Sequence, residues 1–144
     1  MINGERLVQT FLDLVRIDSP SGQEEAISRE LAQRCAALGA QVEQDEHWNV
    51  IARWSGSNGA ADPVLLSAHM DTVGQDTGIK PEIRDGVIYS DGTTILGGDD
   101  KSGVATILEV VASLREDGQP HPPLEAAITI GEEVGLRGAR LLDK

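Results

Sequence analysis

The 144-residue sequence has few aromatic residues, a single cysteine and no long apolar run. One Phe, one Tyr and two Trp cannot fill a core, so Leu, Ile, Val and Ala must build it. Cys35 has no partner for an intrachain disulfide, and its place on the apolar side of a predicted helix indicates a buried side chain. No apolar segment approaches the roughly 20 residues that a membrane-spanning helix needs. The N-terminus also lacks a signal pattern, so we expect a cytoplasmic protein without a membrane partner.

Positive charge is scarce as well. The sequence contains 12 Lys and Arg residues and 24 Asp and Glu residues, which gives a formal net charge of −12. A nucleic-acid partner is therefore not expected, because its phosphates require a basic surface. Most of the acidic residues are expected to be solvated, but some are clustered in ways that suggest chemistry.

The spacing of apolar residues predicts three helices. The first covers about 3–17, and the third covers 101–116. The second follows Ser21 and Glu24, which match an S-x-x-E capping box, and it ends at Gly39.

Between the helices lie short apolar segments that predict strands at 50–54, 64–68 and 126–130. Shorter strands are expected at Ile83 and at 87–89, and a polar loop is expected at 55–62. The unbroken apolar run at 64–68 is typical of a strand covered on both faces. Helices that alternate with strands predict an α/β fold with a mainly parallel or mixed sheet flanked by helices.

Three groups of acidic or histidine residues each follow a predicted strand. In parallel α/β sheets, sites form at the carboxyl ends of strands, so groups far apart in sequence can converge there. Each group is a weak signal alone, whereas the three in this order favour a metal site. The groups are His69 with Asp71, Asp99 with Asp100, and Glu132 with Glu133.

The residue types in these groups suit metal chemistry. His69 and Asp71 are two residues apart, so at a strand end they point to one side. A carboxylate there can hold one imidazole nitrogen while the other binds a metal. Asp99 follows two glycines and can offer two oxygens to two metals. Of the adjacent Glu132 and Glu133, one can bind metal while the other faces the substrate water.

The sequence resembles the M20 family of metallopeptidases, and within it the peptidase T-like group of tripeptide aminopeptidase-like enzymes. The resemblance rests on the strings SAHMDTV at 67–73, DGTTILGGDDKSGVA at 91–105 and GEEVGLRGA at 131–139. The third string is also similar to the M42 aminopeptidases, while the second favours M20.

The resemblance implies a two-zinc site that removes N-terminal residues from short peptides, with Co²⁺ or Mn²⁺ as alternative metals. His69 would bind the first zinc, Asp99 would bridge both, and Glu133 would bind the second. The catalytic residues would be Asp71, which orients His69, and Glu132, the general base. The resemblance also implies a cis peptide bond after Asp99.

Members of the M20 family are more than twice as long as this chain. The resemblance therefore implies that 1–144 is the N-terminal part of a zinc-exopeptidase catalytic domain. A further carboxylate ligand, a further histidine ligand and a smaller dimerisation domain would be absent from it. We expect the chain alone to be inactive or weakly active, and the resemblance allows a homodimer for the full-length protein. His47 and His121 are not expected to be ligands.

Two other functions remain open at the level of sequence. One is another amidohydrolase of the same family, such as a deacylase or a carboxypeptidase. The other is a non-catalytic fragment that acts as a metal-binding or interaction module.

Overall fold

The computed structural model describes residues 1–57 and 62–142. The predicted loop at 55–62 therefore lies partly outside the described residues. The elements in chain order are α1 Gly4–Val15, α2 Glu25–Ala37, β1 Gln41–Gln44, β2 Val50–Trp54, β3 Val64–His69, β4 Pro81–Arg84, β5 Val87–Ser90, α3 Gly98–Asp117, β6 Leu124–Thr129 and α4 Arg137–Leu141.

Four strands form a mixed sheet in the order β1-β2-β6-β3. β2 pairs antiparallel with both β1 and β6, whereas β3 and β6 pair in parallel. A short connection joins β1 to β2, while the helix α3 lies in the long crossover from β3 to β6, which explains the two pairing senses. β4 and β5 form a separate hairpin. The predicted α/β fold is confirmed, and its sheet is mixed.

The core lies on the sheet face that α2 and α3 cover. Alternate residues of a strand point to one face, and Val50, Ala52, Ala126 and Ile128 have no exposed surface on this side. α2 packs on β1 and β2, α3 packs on β3, and α1 packs on α3. Aliphatic side chains dominate this core, as the shortage of aromatic residues predicts.

The prediction that residues 64–68 are covered on both faces is wrong for the start of this strand. β3 is at the edge of the four-stranded sheet. Leu65 is 63% exposed and Val64 is 43% exposed, whereas Ala68 is buried. The strand therefore becomes buried only toward its carboxyl end, where the first group of polar residues begins.

The three predicted helices are confirmed, but the capping box is wrong. Glu24 itself is the N-cap of α2, in a helical conformation and without a side-chain capping bond. The Ser21 hydroxyl donates to Asp71, and the Glu24 carboxylate accepts from the backbone N–H groups of Gly22 and Gly131. Both side chains therefore bind neighbouring loops instead of the helix end.

Cys35 is fully buried, as predicted, and this burial raises the pKa of its thiol to about 12. Among the described residues, none of the helices combines the length and the apolar character needed to cross a bilayer.

A buried carboxylate links α1 to α3. Glu109 is 3% exposed, and its oxygens accept from Arg6 Nε at 2.6 Å, from the Asn3 N–H at 2.7 Å and from the Ser113 hydroxyl at 2.7 Å. The Arg6 guanidinium is the main cause that lowers the pKa of Glu109 from its ordinary 4.5 to about 2.

We expect Glu109→Gln to lower the free energy of unfolding by about 1–3 kcal/mol at neutral pH, because the variant loses a charged acceptor. A lowered pKa stabilises the fold above pH 4.5, and this contribution is lost as the pH falls toward about 2. Urea unfolding should therefore show a smaller difference between variant and wild type at about pH 3 than at about pH 7. Glu116→Gln is the control, since Glu116 also contacts Arg6 but is 56% exposed. Equal losses for the two variants would contradict the role of burial.

Candidate metal centre

His69 is the last residue of β3, and its ring is oriented by Asp71. Nδ1 lies 3.0 Å from the Asp71 backbone oxygen and 3.3 Å from Asp71 Oδ1. Both oxygens are acceptors, so Nδ1 carries the proton and donates. Nε2 faces the other way and lies 3.1 Å from Asp99 Oδ1. Burial alone would lower the pKa of His69, but the carboxylates of Asp71 and Asp99 raise it to about 9.

Asp71 has no exposed surface, and its carboxylate accepts hydrogen bonds from three other groups. The Ser21 hydroxyl donates at 2.7 Å, the Glu132 N–H at 2.9 Å and the Glu133 N–H at 3.2 Å. Burial opposes ionisation, but these bonds and His69 lower the pKa of Asp71 to about 2. Asp71 therefore holds both the histidine and the backbone of the two glutamates.

Asp99 and Asp100 have different roles at the start of α3. Asp99 reaches His69, and its side chain is 83% exposed. Asp100 Oδ1 accepts the Gly103 N–H at 3.1 Å and so caps the helix. The peptide bond between the two aspartates is cis, as the resemblance implies. Gly97 before them has a φ of 74°, and a Cβ there would lie 3.2 Å from the Thr72 side chain.

Glu132 and Glu133 lie just past the end of β6. Glu133 supplies a carboxylate oxygen to a group of three donors with His69 and Asp99, and the three atoms lie within 4.8 Å of one another. Glu132 is outside this group, but its Oε2 lies 3.8 Å from His69 Nε2. Its side chain is 39% exposed, so solvent and a ligand can reach it.

The donor set fits a divalent cation. One imidazole nitrogen and two carboxylate oxygens are typical ligands of zinc and similar metals. Donors on one zinc ion lie roughly 3.4 Å apart, given metal–ligand distances of about 2.1 Å, and the His69–Asp99 pair at 3.1 Å is close to this spacing. The carboxylate that holds the second nitrogen of His69 completes an arrangement common at metal sites.

The structure thus brings the three predicted groups together, although one lies elsewhere than predicted. His69 ends β3 and the two glutamates follow β6, whereas Asp99 lies at the start of α3 and follows a loop. β5 ends at Ser90 and residues 91–97 separate it from α3, so the expectation that a strand directly precedes Asp99 is wrong. His47 and His121 lie outside the donor group.

Sequence reasoning missed three buried polar residues around the site. Glu24 and Asn49 bind the backbone next to the two glutamates. Lys101 has no exposed surface, and its ammonium group donates to the Ile17 carbonyl at 2.7 Å, tying α3 to the end of α1. Burial lowers the pKa of Lys101 to about 8, against an opposing effect of Asp18. Only the place of Lys101 directly after the two aspartates could have signalled its importance.

Comparison with known proteins identifies the family of the chain. The family model of peptidase family M28 matches residues 49–143. The chain is 43% identical to aminopeptidase PepT from Bacillus cereus, with a TM-score of 0.95. The match covers 99% of this chain and 40% of the Bacillus cereus enzyme. A tripeptidase from Staphylococcus aureus is also 43% identical, with a TM-score of 0.94 and the same coverage.

A curated relative agrees with these structures. The cytosol non-specific dipeptidase of Escherichia coli is 31% identical over 150 residues, which cover 96% of this chain and 30% of the dipeptidase. The chain thus spans only 30–40% of the length of these three proteins. The predicted resemblance to peptidase T-like enzymes is confirmed, and the match over residues 49–143 places the chain in peptidase family M28.

Proposed function

We propose that the protein containing this chain is a metal-dependent aminopeptidase that removes N-terminal residues from short peptides. The observation that carries the proposal is the donor group of His69, Asp99 and Glu133, with Glu132 beside it. The relatives named as an aminopeptidase and a tripeptidase support the substrate class. We extend the proposal to a cytoplasmic location, which the name of the dipeptidase relative supports.

His69, Asp99 and Glu133 would hold the cations, with His69 on one, Glu133 on a second and Asp99 shared between them. Zinc is the proposed metal, and Co²⁺ or Mn²⁺ are alternatives. The cations, when bound, supply a water of lowered pKa and polarise the peptide carbonyl. Asp71 accepts the Nδ1 proton of His69, so Nε2 is the nitrogen that would bind a cation after losing its own proton.

Glu132 is the proposed general base. Its carboxylate would take a proton from the attacking water and pass it to the leaving amine. The residue fits this role because its backbone N–H is held by Asp71 while its side chain is accessible. A base that were itself a strong ligand could not carry protons, and Glu132 lies outside the donor group.

We also propose that residues 1–144 are the N-terminal part of a zinc-exopeptidase catalytic domain. The support is that the chain spans 40% of the Bacillus cereus enzyme at a TM-score of 0.95. Zinc sites in enzymes use three protein ligands and a water for each metal. Three residues cannot complete two such sites, so further ligands are required. The assignment to family M20 stays a prediction beside the M28 match.

The test is hydrolysis by the full-length protein of a tripeptide and of the same tripeptide with an acetylated N-terminus. We expect release of the first residue from the free peptide only, because an aminopeptidase requires the free amine. A chelator should abolish the reaction, and Zn²⁺, Co²⁺ or Mn²⁺ should restore it. Equal rates on the acetylated peptide would favour another amidohydrolase, and an undiminished rate after removal of metal would contradict the proposal.

A further inference from the structure

Four consecutive backbone N–H groups after β6 are bound by side chains from three distant parts of the chain. The strand ends at Thr129, and beyond this point the backbone has no neighbouring ladder. Side-chain oxygens take over as acceptors. Ile130 N–H donates to Asn49 Oδ1 at 3.0 Å, Gly131 N–H to Glu24 Oε1 at 3.0 Å, Glu132 N–H to Asp71 Oδ1 at 2.9 Å and Glu133 N–H to Asp71 Oδ2 at 3.2 Å.

The carbonyl groups of the same segment are bound as well. Gly138 N–H donates to the Ile130 oxygen at 2.9 Å, and Arg137 N–H donates to the Gly131 oxygen at 3.0 Å. A Cβ at Gly138 would lie 2.6 Å from both the nitrogen and the oxygen of Ile130. The start of α4 therefore packs tightly against this segment, and the backbone before the two glutamates is held on both sides.

Glu24 is one of two members of this set, with Asn49, that no proposed chemical step uses. It is 4% exposed, and its second oxygen accepts the Gly22 N–H at 2.8 Å. The turn that contains Gly22 also contains Ser21, whose hydroxyl binds Asp71. One carboxylate thus joins two loops, the turn before α2 and the segment that carries Glu132.

We propose that Glu24 is a positioning residue that fixes the Gly131 peptide and thereby aims the carboxylates of Glu132 and Glu133. The inference rests on the proposed function, since it concerns the direction of these two side chains toward a cation and a substrate. Gly131 has a φ of 56°. Because glycine has no Cβ, its backbone can also adopt other φ values at little cost. Without the Glu24 acceptor, the Gly131 peptide keeps only the bond from Gly138 N–H to the Ile130 oxygen, so it can shift. Displacements of about 1 Å lower catalytic rates strongly.

Glu24 is a sharper test than Asn49. Asn49 also donates to Asp45 at 2.7 Å and to the Gly138 carbonyl at 3.2 Å, so its removal disturbs the wider fold. Glu24→Gln keeps the size of the side chain but replaces one acceptor oxygen with a donor nitrogen. One of the two N–H groups then faces another donor and loses its bond.

The experiment compares full-length wild type, Glu24→Gln, Glu24→Asp and Glu25→Gln. Glu24→Asp keeps the carboxylate but shortens its reach. Glu25→Gln is the matched control, because Glu25 is the next residue, is 56% exposed and contacts only Arg29 among the hydrogen bonds of the described residues. The readouts are hydrogen exchange of 130–136, kcat and KM for a tripeptide, and Co²⁺ affinity by visible absorption.

We expect faster hydrogen exchange of the backbone amides at 131–133 in both Glu24 variants. Their kcat or their Co²⁺ affinity should be lowered by roughly 10–100-fold. Their KM should stay within about twofold of wild type. Glu25→Gln should match wild type in every readout. Unchanged exchange in the Glu24 variants would overturn the inference, and so would faster exchange with wild-type kcat and Co²⁺ affinity. Exchange is measured without metal or substrate. An inactive wild type that binds no Co²⁺ would therefore overturn the proposed function separately, while exchange still decides whether Glu24 holds the segment.

Discussion

Glu132→Gln is expected to lower kcat for peptide hydrolysis by a factor of roughly 10²–10⁴, the usual contribution of a general base. Glutamine matches the size of glutamate but cannot accept the proton of the attacking water. The backbone N–H of residue 132 still donates to Asp71, so the segment should keep its position. Because Glu132 lies outside the donor group, cation affinity should stay within about twofold of wild type.

Steady-state kinetics of the full-length protein, with metal content measured on the same samples, checks this expectation. Glu82→Gln on β4 is the matched control, since Glu82 is 52% exposed, contacts Arg84 and lies on the separate β4–β5 hairpin. A Glu132→Gln variant that retains wild-type kcat would show that another group accepts the proton. A variant that loses its metal would show that Glu132 is a ligand.

Asp99→Ala is expected to abolish tight cation binding. Asp99 is the residue that we propose to be shared by both cations, so its loss removes one ligand from each. The decrease in affinity should exceed the roughly 10–100-fold that is typical when a supporting residue around a metal is removed. The Asp99 side chain is 83% exposed, so the substitution should leave the fold intact. Calorimetric titration of the metal-free full-length protein with Zn²⁺ measures the effect.

Asp100→Asn is the control for Asp99→Ala. Its side-chain oxygen can still accept the Gly103 N–H, and Asp100 is not in the donor group. We expect this neighbouring substitution to change Zn²⁺ affinity by no more than about twofold. Comparable losses for the two variants would mean that the two adjacent acids act through general negative charge. Wild-type affinity in Asp99→Ala would remove Asp99 from the site.

Much of the fold could be predicted because helices and strands follow from local periodicity. Val104, Ile107, Leu108 and Val111 recur at helical spacing on α3, and the segment at 126–130 is mainly apolar. Both sets of residues are buried as expected. The donor group could be predicted from three short motifs. Its members lie 30 or more residues apart along the chain, as the 30-residue separation of His69 and Asp99 shows, but each motif is compact and easily identified.

The supports of the site could not be predicted in the same way. Glu24 binds a peptide 107 residues further along the chain, and Asn49 binds one 81 residues further along. Neither residue belongs to a local pattern that demands such a partner. The spacing of Ser21 and Glu24 fits a capping box. In the folded chain, however, Asp71 and Gly131 lie beside these two side chains and bind them instead.

The exposure of β3 was mispredicted for a related reason. An apolar run indicates burial, but the number of covered faces depends on the position of the strand within the sheet. Among the described strands, β3 has a neighbour on one side only, and Leu65 faces outward from it. Strand order is set by long-range pairing, which no single segment encodes.

The most direct test of the central claim is anomalous diffraction at the zinc edge from crystals of the full-length protein grown with Zn²⁺. The proposal predicts a strong peak about 2.0–2.2 Å from His69 Nε2 and from an Asp99 oxygen, with Glu133 bound to a second peak. Peaks confined to other surface residues, or none beside His69 Nε2, would contradict the assignment of this group as the metal centre.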